Sequence, residues 1–233
     1  MFSAKELQDL EIGNAICYGI FADPDAELHG IRYKSGEINI FTYKDGEQRT
    51  VEEIIQTYSQ SIVPNCMGQK MTIMALRTSN LKDTDVAVAG YKVVEVLNDE
   101  LLSQRVKAEI LGFNDGVFSE KAYDAYLGSY KVQGYGIKSN WRHFAAVCEA
   151  SNEVVGSASI VFHGDCGFIS AVAVVPESRR KGLATALTDY CLKIAKKMDR
   201  HTTEARTLYS KMGFVDAFAT RTFQRFKTHD IIQ

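Results

Sequence analysis

The chain has 233 residues, of which 45% are hydrophobic and 24% are charged, and its formal net charge is −2. This composition excludes a disordered chain and a long membrane span, and the charge gives no reason to expect a nucleic-acid or membrane partner. The first seven residues contain no apolar segment typical of a secretory signal, so we expect a cytoplasmic protein.

The five cysteines are widely spaced and include no CxxC pair. They are Cys17, Cys66, Cys148, Cys166 and Cys191. An odd number at these spacings predicts neither a disulfide framework nor a zinc site, so we expect no bound metal and a reducing compartment. Cys191 falls on the apolar face of a predicted helix, which favours a buried small hydrophobic residue over a nucleophile.

The first half of the sequence yields a few separate predictions. Alternating hydrophobicity predicts strands from Glu37 to Tyr43 and from Met71 to Leu76, and helical spacing predicts a helix from Thr50 to Ser61. The segments Tyr91 to Leu97 and Gln104 to Phe113 also alternate, and we expect them to pair as a hairpin.

Two parts of the chain share a weak pattern. Thr78-Ser79 precedes Gly90-Tyr91 by about the spacing at which Thr202-Thr203 precedes Gly213-Phe214, and a strand is predicted after each glycine. A decayed duplication explains this pattern, and so does chance; the sequence leaves both open.

From Trp141 the sequence is typical of an antiparallel meander. Strands are predicted from His143 to Glu149, from Glu153 to His163 and from Cys166 to Val175. Gly164-Asp165 suits a two-residue type II′ turn between the last two strands.

An amphipathic helix of about four turns is predicted next, because apolar residues recur at helical spacing. They are Leu183, Leu187, Tyr190, Cys191, Ile194 and Met198. A short polar strand is predicted around Met198 to His201. Thr203 is predicted to cap a second helix from Glu204 to Met212, with Gly213 in a left-handed conformation at its end. One or two closing strands follow from Phe214 to Phe226.

The joint between the last meander strand and the first helix is a candidate anion site. Its sequence is Arg179-Arg-Lys-Gly-Leu-Ala184. The first amides of a helix are unpaired and lie at the positive end of its dipole, so a diphosphate fits there. Gly182 lets the backbone approach the ligand, and the three cations surround the entrance. The segment lacks the endings of a P-loop or a dinucleotide fingerprint, which disfavours those two classes.

This joint and the segment Ala205-Arg-Thr-Leu-Tyr-Ser-Lys-Met-Gly-Phe214 together resemble the acetyl-CoA motifs of the GNAT superfamily of N-acetyltransferases. The first resembles the Arg/Gln-x-x-Gly-x-Gly/Ala loop, and the second resembles the Leu-Tyr-x-Lys-x-Gly-Phe helix. The match runs from Phe144 to Phe226. Some family members carry a degenerate N-terminal copy, which the repeated pattern around Gly90 would fit.

The resemblance implies a set of cofactor-binding residues. The main chain of Val172, Ala173 and Val174 would pair with pantetheine, and an amide at Val172 or Val174 would stabilise the oxyanion. The loop and helix start would hold the pyrophosphate through Arg179, Arg180, Lys181, Gly182, Leu183, Ala184 and Thr185. Thr202 stands where many relatives have asparagine, and its hydroxyl can still bind CoA.

By the same resemblance, Tyr209 would donate a hydrogen bond to the departing thiolate; packing alone also accounts for an aromatic residue there. The place where relatives carry a basic glutamate falls near Phe168, which cannot act as a base. His163, Asp165, Glu149 and His201 are candidates for the base, and so is a water molecule. Tyr130, Tyr135 and Trp141 are candidates for an acceptor pocket, although aromatics at this spacing are more often core.

These observations predict an α/β fold with a mixed, mostly antiparallel GNAT-like sheet flanked by helices. We expect an N-terminal region over residues 1–115, which a decayed GNAT-like half would explain, and an acetyl-CoA-binding catalytic domain over residues 116–233. The resemblance implies acetyl transfer from acetyl-CoA to a primary amine of a small molecule or protein, with a homodimer left open. The alternatives are an acyl-CoA-binding module without turnover and a protein that binds another anion such as a mononucleotide.

Overall fold

The computed structural model describes Lys5 and residues 28–33, 38–43, 70–81, 86–198, 201–204 and 206–225. The predicted helix from Thr50 to Ser61 lies outside these residues. The strands are β1 (Leu28–Tyr33), β2 (Ile38–Tyr43), β3 (Lys70–Leu76), β4 (Tyr91–Glu95), β5 (Trp141–Cys148), β6 (Val154–His163), β7 (Cys166–Val174), β8 (His201–Glu204) and β9 (Val215–Arg225). The helices are α1 (Asp99–Phe113), α2 (Glu120–Gln133), α3 (Leu183–Lys197) and α4 (Arg206–Lys211).

Within the described residues, all strands form one sheet in the order β2-β1-β9-β3-β8-β7-β6-β5-β4. Pairing is antiparallel except between β7 and β8, which are parallel. The strand β3 comes early in the chain yet lies between β8 and β9. This confirms the predicted mixed, mostly antiparallel sheet flanked by helices, and it confirms the predicted strands that end at Tyr43 and Leu76.

The sheet separates two apolar cores. Phe144 and Ile160 belong to the core under α3, whereas their neighbours Ala145 and Val161 belong to the core under α1 and α2. Successive residues of a strand point to opposite faces, so this alternation places the helices on both sides of the sheet. Cys191 is fully buried in the α3 core, as expected.

The predicted strand from Gln104 to Phe113 is wrong, because this segment is the second part of α1. Its charged residues alternate with apolar ones and imitate a strand. The helix begins where Asn98 accepts a hydrogen bond from the Leu101 amide (2.8 Å). Leu102, Val106 and Ile110 lie four residues apart and are buried. Arg105 and Glu109 are buried as well, so the polar residues of the pattern do not mark an exposed face.

The helix α2 lies in a stretch for which the sequence analysis made no prediction. Ser119 caps it by accepting from the Ala122 amide (3.3 Å). Its aromatic and apolar residues recur at helical spacing and pack on the α1 side of the sheet; they are Ala122, Tyr123, Tyr126, Leu127 and Tyr130. The helical spacing that predicts α2 was therefore visible in the sequence.

Two predictions near the chain's last helix are wrong. The short strand is His201–Glu204, later than the predicted Met198 to His201, because α3 continues to Lys197 and Met198 is its C-cap. Thr203 lies inside this strand and pairs with Ala75 of β3, so it does not cap α4. Gly213 does adopt a left-handed conformation (φ 97°), and a single closing strand follows.

The turn between β6 and β7 is confirmed. His163 pairs with Cys166 across two turn residues, and Gly164 has φ 52°. A positive φ at the first turn residue alone is the type II′ conformation.

The boundary between residues 115 and 116 and the decayed duplication stay predictions. The elements β4 and α1 precede this boundary; β4 pairs with β5, and α1 packs against β6 and β7. In the part of the chain that the structure describes, no helix is long and apolar enough to cross a membrane.

Candidate active site

A bulge interrupts β7 at the segment predicted to bind pantetheine. Ser170 pairs with Ser159 and Ala173 pairs with Ser157, so two residues of β7, Ala171 and Val172, lie opposite one residue of β6. Ala171 has φ 55°, and its carbonyl accepts a hydrogen bond from the buried Ser157 hydroxyl (2.8 Å). The bulge therefore changes the direction of the backbone amides next to Val172.

The strands β7 and β8 are paired at one end only. Their register runs from Cys166 opposite His201 to Phe168 opposite Thr203. Beyond Phe168, β7 continues for six residues to Val174, whereas β8 ends at Glu204. Val172, Ala173 and Val174 thus lie on the stretch of β7 that has no β8 partner among the described residues, which leaves their main chain available to an extended ligand.

The β7–α3 loop (residues 175–182) ends in two left-handed residues. Arg180 has φ 64° and Gly182 has φ 89°. Gly182 is the N-cap of α3 and provides no side-chain cap, so the amides of Leu183, Ala184 and Thr185 lie in the first turn with no intrahelical acceptor. Left-handed turns before a helix form a concave set of amides that favours an anion. The predicted diphosphate site therefore has the local geometry that its ligand requires.

The three cations of the loop differ in their contacts. Arg179 donates to carbonyls and a carboxylate within the chain. Lys181 donates to the Tyr91 hydroxyl (2.8 Å) and lies over its ring. Arg180 is exposed and makes no hydrogen bond or ion pair with the residues described. Among the residues that the structure describes, the loop thus has one guanidinium without a polar contact beside its left-handed turn.

Tyr209 and Thr202 lie on either side of the β8–α4 junction. Tyr209 is 6% exposed and packs edge-on against Phe214, with 5.4 Å between ring centroids. Its ring therefore belongs to the core under α3, as packing alone predicts for this position. Thr202 pairs through its backbone with Gly167 of β7 and Leu76 of β3.

The candidate bases lie away from the bulge. His163 and Asp165 flank the β6–β7 turn, and His201 pairs with Cys166 at the same end of the sheet. Six residues of extended chain, about 20 Å, separate Cys166 from Val172. Glu149 is exposed and follows β5, two strands from β7. Phe168 is buried in the core under α1. By backbone position, the candidate bases therefore lie at the far end of β7 or two strands away from it.

The aromatic residues proposed for an acceptor pocket are mostly core residues. Tyr130 is 0% exposed and Trp141 is 4% exposed, with 5.9 Å between their ring centroids. Tyr135 is partly exposed and donates a hydrogen bond to Asp99. Packing therefore accounts for Tyr130 and Trp141.

A buried polar cluster, absent from the sequence analysis, lies between α1, α2 and the sheet. Arg105 forms an ion pair with Glu109 and donates to the Ser159 hydroxyl (2.5 Å). Tyr130 donates to Glu109 (3.0 Å), and His143 Nδ1 is 2.7 Å from the same Ser159 hydroxyl. Arg105 Nε and His143 Nε2 have no partner. The one available signal was a histidine directly before the apolar run Phe144-Ala-Ala-Val147.

Burial controls the ionisation of this cluster. Burial and the nearby Arg105 charge hold the pKa of His143 well below its usual range, so the imidazole is neutral. Burial raises the pKa of Glu109, against the opposing effect of Arg105. Burial and the Glu109 charge raise the pKa of Tyr130. In the described part of the chain, no group of three or more His, Cys, Asp or Glu side chains is arranged to hold a metal ion.

The chain was compared with known families and structures. A model of the Acetyltransferase (GNAT) family matches residues 108–214. No curated protein matches the sequence. Among solved structures, a GCN5-related N-acetyltransferase from Sphaerobacter thermophilus is similar, with a TM-score of 0.54 and 15% identity over 88% of this chain and 61% of that protein.

Two further solved structures are similar. A functionally unknown conserved protein from Staphylococcus epidermidis has a TM-score of 0.52 and 11% identity over 77% of this chain and 69% of that one. A GCN5-related N-acetyltransferase from Kribbella flavida has a TM-score of 0.49 and 14% identity over 71% of this chain and 61% of that one. The chain thus spans about 61% of the length of the Sphaerobacter and Kribbella proteins.

The similarity to the Sphaerobacter and Staphylococcus structures shows the fold, and the family match covers the bulged strand, the left-handed loop and α3. The motifs that carried the resemblance lie within the matched residues. Residues 108–214 therefore match the GNAT family of acetyltransferases, and the chain has the GNAT fold.

Proposed function

We propose that the chain transfers an acetyl group from acetyl-CoA to a primary amine of a small molecule or a protein. The observation that carries this proposal is the end of β7–β8 pairing at Phe168, followed by six residues of β7 that lead into a left-handed anion-binding turn. An extended thioester with a diphosphate needs both features in this order.

The β7–α3 loop and β7 would divide the binding of acetyl-CoA between them. The amides of Leu183, Ala184 and Thr185, with Gly182, Arg180 and Lys181, would hold the diphosphate. The main chain of Val172, Ala173 and Val174 would pair with the pantetheine arm. An amide at Val172 or Val174 would stabilise the oxyanion that forms when the amine attacks the thioester carbonyl. Thr202 would hydrogen-bond CoA from β8.

Tyr209 would donate a hydrogen bond to the departing thiolate. The usual pKa of tyrosine is about 10 and that of a thiol about 8.5, so complete proton transfer is uphill by about 2 kcal/mol. A hydrogen bond that strengthens as negative charge develops on sulfur avoids this cost. The amine would lose its proton to water, because the candidate bases lie at the far end of β7 or two strands away.

The second candidate is an acyl-CoA-binding module without turnover. Phe168, which is buried and apolar, lies near the position where relatives carry a glutamate that acts as the general base. Binding of CoA needs only the loop and the main chain of β7, both of which are present without that base.

Mutation of Tyr209 separates these candidates. Tyr209→Phe retains the ring that packs on Phe214, so the protein should fold normally. Because a hydrogen bond to a charged group contributes about 1.5–3 kcal/mol, we expect the rate of free thiol release to fall roughly tenfold to a hundredfold. The measurement is thiol release from acetyl-CoA across a panel of primary amines, with CoA affinity measured in parallel.

Tyr190→Phe is the matched control, because Tyr190 also packs against a phenylalanine of the same core, with a tilted ring and 5.1 Å between its centroid and that of Phe144, and lies outside the proposed site. It should leave thiol release unchanged. Thermal stabilisation by acetyl-CoA without thiol release from any amine would support the binding module. Stronger stabilisation by ATP than by CoA would contradict both candidates in favour of another anion ligand.

We propose a cytoplasmic location, on the basis of the cysteine pattern and composition, and an acceptor that is neither a nucleic acid nor a membrane. A homodimer is compatible with this function and is tested by sedimentation.

A further inference from the structure

Arg179 is held by three hydrogen bonds within the chain. Its Nε donates to the Val174 carbonyl (3.1 Å) and its Nη2 donates to the Gly112 carbonyl (2.7 Å). Its Nη1 donates to Asp115 Oδ1 (2.8 Å). These three acceptors belong to the end of β7, the end of α1 and the connector, which is the segment of residues 114–119 between α1 and α2. One planar guanidinium therefore joins three parts of the fold.

The end of α1 approaches β7 at the same place. A Cβ added to Gly112 would lie 2.8 Å from the Ala173 Cβ and 3.0 Å from the Val174 nitrogen, so only glycine permits this contact. A Cβ added to Gly116 would lie 3.5 Å from Pro176 Cγ. Gly116 of the connector therefore lies beside Pro176 of the β7–α3 loop.

Arg180 provides the contrast within the same loop. It is exposed, has φ 64° and makes no ion pair or hydrogen bond with the described part of the chain. A phosphate could therefore engage Arg180 without breaking a contact with the described residues, whereas the guanidinium of Arg179 is already fixed in position by three hydrogen bonds.

We propose that Arg179 is a positioning residue, which does not bind the diphosphate and which transmits occupancy of the β7–α3 loop to the connector. This inference rests on the proposed binding of CoA at the loop. When the amides of α3 hold an anion, the loop is restrained, and the three bonds of Arg179 restrain the end of α1 and the connector with it. A point charge such as lysine cannot serve the three acceptors in the same way.

The test is hydrogen–deuterium exchange of the full chain with and without CoA. In the unmodified protein, saturating CoA should slow exchange several-fold both at residues 183–187 and in the connector. In Arg179→Gln, at a CoA concentration giving equal occupancy, residues 183–187 should keep this protection and the connector should lose it. Arg179→Lys should behave like Arg179→Gln, because shape rather than charge is required.

Two variants serve as comparisons. Arg180→Gln removes the same charge from the loop. At equal CoA occupancy, CoA should still slow hydrogen–deuterium exchange in the connector of this variant. Asp115→Asn replaces the charged acceptor of Arg179 Nη1 with a neutral and weaker one at a position where the side chain is 84% exposed, and it should lose part of that response. Because Asp115 is exposed, this variant tests the proposal even if Arg179→Gln fails to fold.

The outcomes separate this inference from the proposed function. Connector protection that survives in Arg179→Gln, or that Arg179→Lys restores fully, would overturn the positioning role. So would an unmodified protein in which CoA protects residues 183–187 but not the connector. Absence of protection at residues 183–187 in the unmodified protein would instead contradict CoA binding at the loop.

Discussion

His143 is a buried, neutral side chain beside a buried charge. It is 0% exposed, its Nδ1 is 2.7 Å from the Ser159 hydroxyl, and that hydroxyl also accepts from Arg105. Protonation would place a second positive charge next to Arg105 in a fully buried site. Burial and Arg105 therefore hold the pKa of His143 well below its usual range.

This residue should make the domain less stable in weak acid. In the unfolded chain a histidine binds a proton below about pH 6.5, whereas folded His143 does not, so the free energy of unfolding falls as the pH is lowered. One such group contributes a slope of up to about 1.4 kcal/mol per pH unit. The measurement is denaturant unfolding between pH 7.5 and pH 5.

His143→Phe is the comparison, because a phenyl ring fits between Tyr130 and Trp141. In this variant the free energy of unfolding should fall less steeply as the pH is lowered. The raised pKa of Glu109 acts with the opposite sign and is present in both proteins, so it cancels from the comparison. Equal slopes in the two proteins would show that His143 is protonated in the folded state.

Single residues differ in how well the sequence predicts them. Gly182 was predictable, because the loop and the helix start that require it are adjacent in sequence. The Arg105–Glu109–His143 cluster was not, because its members come from α1 and β5 and meet only through β6 and α2. The distance of the candidate bases from the bulge was not predictable either, because it depends on strand register. The register places His163 and His201 at the first residue of β7, far from the bulge.

At the scale of elements, contact between α1 and β7 depends on Gly112. A Cβ there would lie 2.8 Å from the Ala173 Cβ and 3.0 Å from backbone of Val174. Gly112→Ala should therefore push the helix from the strand and destabilise the protein by about 1–3 kcal/mol, despite the higher helix propensity of alanine. Chemical denaturation measures this change.

Gly128→Ala is the matched control in α2, because a Cβ added there has no atom within 4 Å. It should stabilise the protein by up to about 1 kcal/mol. The same sign of change in both variants would mean that α1 does not pack closely on β7.

Elements were predicted where one periodicity dominates. The meander and α3 have clear patterns and were found within a few residues. The helix α1 was mistaken in part for a strand because Arg105 and Glu109 are buried, so polarity did not mark its solvent side. The limits of β8 depend on pairing with β3 and β7, which local sequence does not contain.

At the scale of the whole molecule, β3 joins the early part of the chain to the GNAT-like part of the sheet. It pairs with β8 and β9, and its residues Ile73, Met74, Ala75 and Leu76 are at most 4% exposed. Deleting residues 1–85 should therefore expose core residues and lower both the melting temperature and the cooperativity of unfolding. The fluorescence of Trp141, the only tryptophan, follows the transition.

Deleting residues 1–67 is the comparison, because it keeps β3. It should have a clearly smaller effect than the longer deletion. If both truncated proteins unfold like the full chain, β3 is not required, and the predicted independent domain over residues 116–233 gains support. The sequence did not predict the position of β3, because strand order is set by contacts between distant residues.

The central claim is that the left-handed turn and the first amides of α3 bind the diphosphate of CoA. Its most direct test is calorimetric titration of Gly182→Glu with CoA and with pantetheine, which lacks the diphosphate. Gly182→Ala controls for backbone strain, because the same φ of 89° applies and an added Cβ would lie 3.7 Å from Val88. The account predicts that Gly182→Glu lowers the affinity for CoA about a hundredfold more than Gly182→Ala does, which corresponds to about 2.7 kcal/mol. The affinity for pantetheine should be nearly the same in both variants. Undiminished affinity of Gly182→Glu for CoA would contradict it.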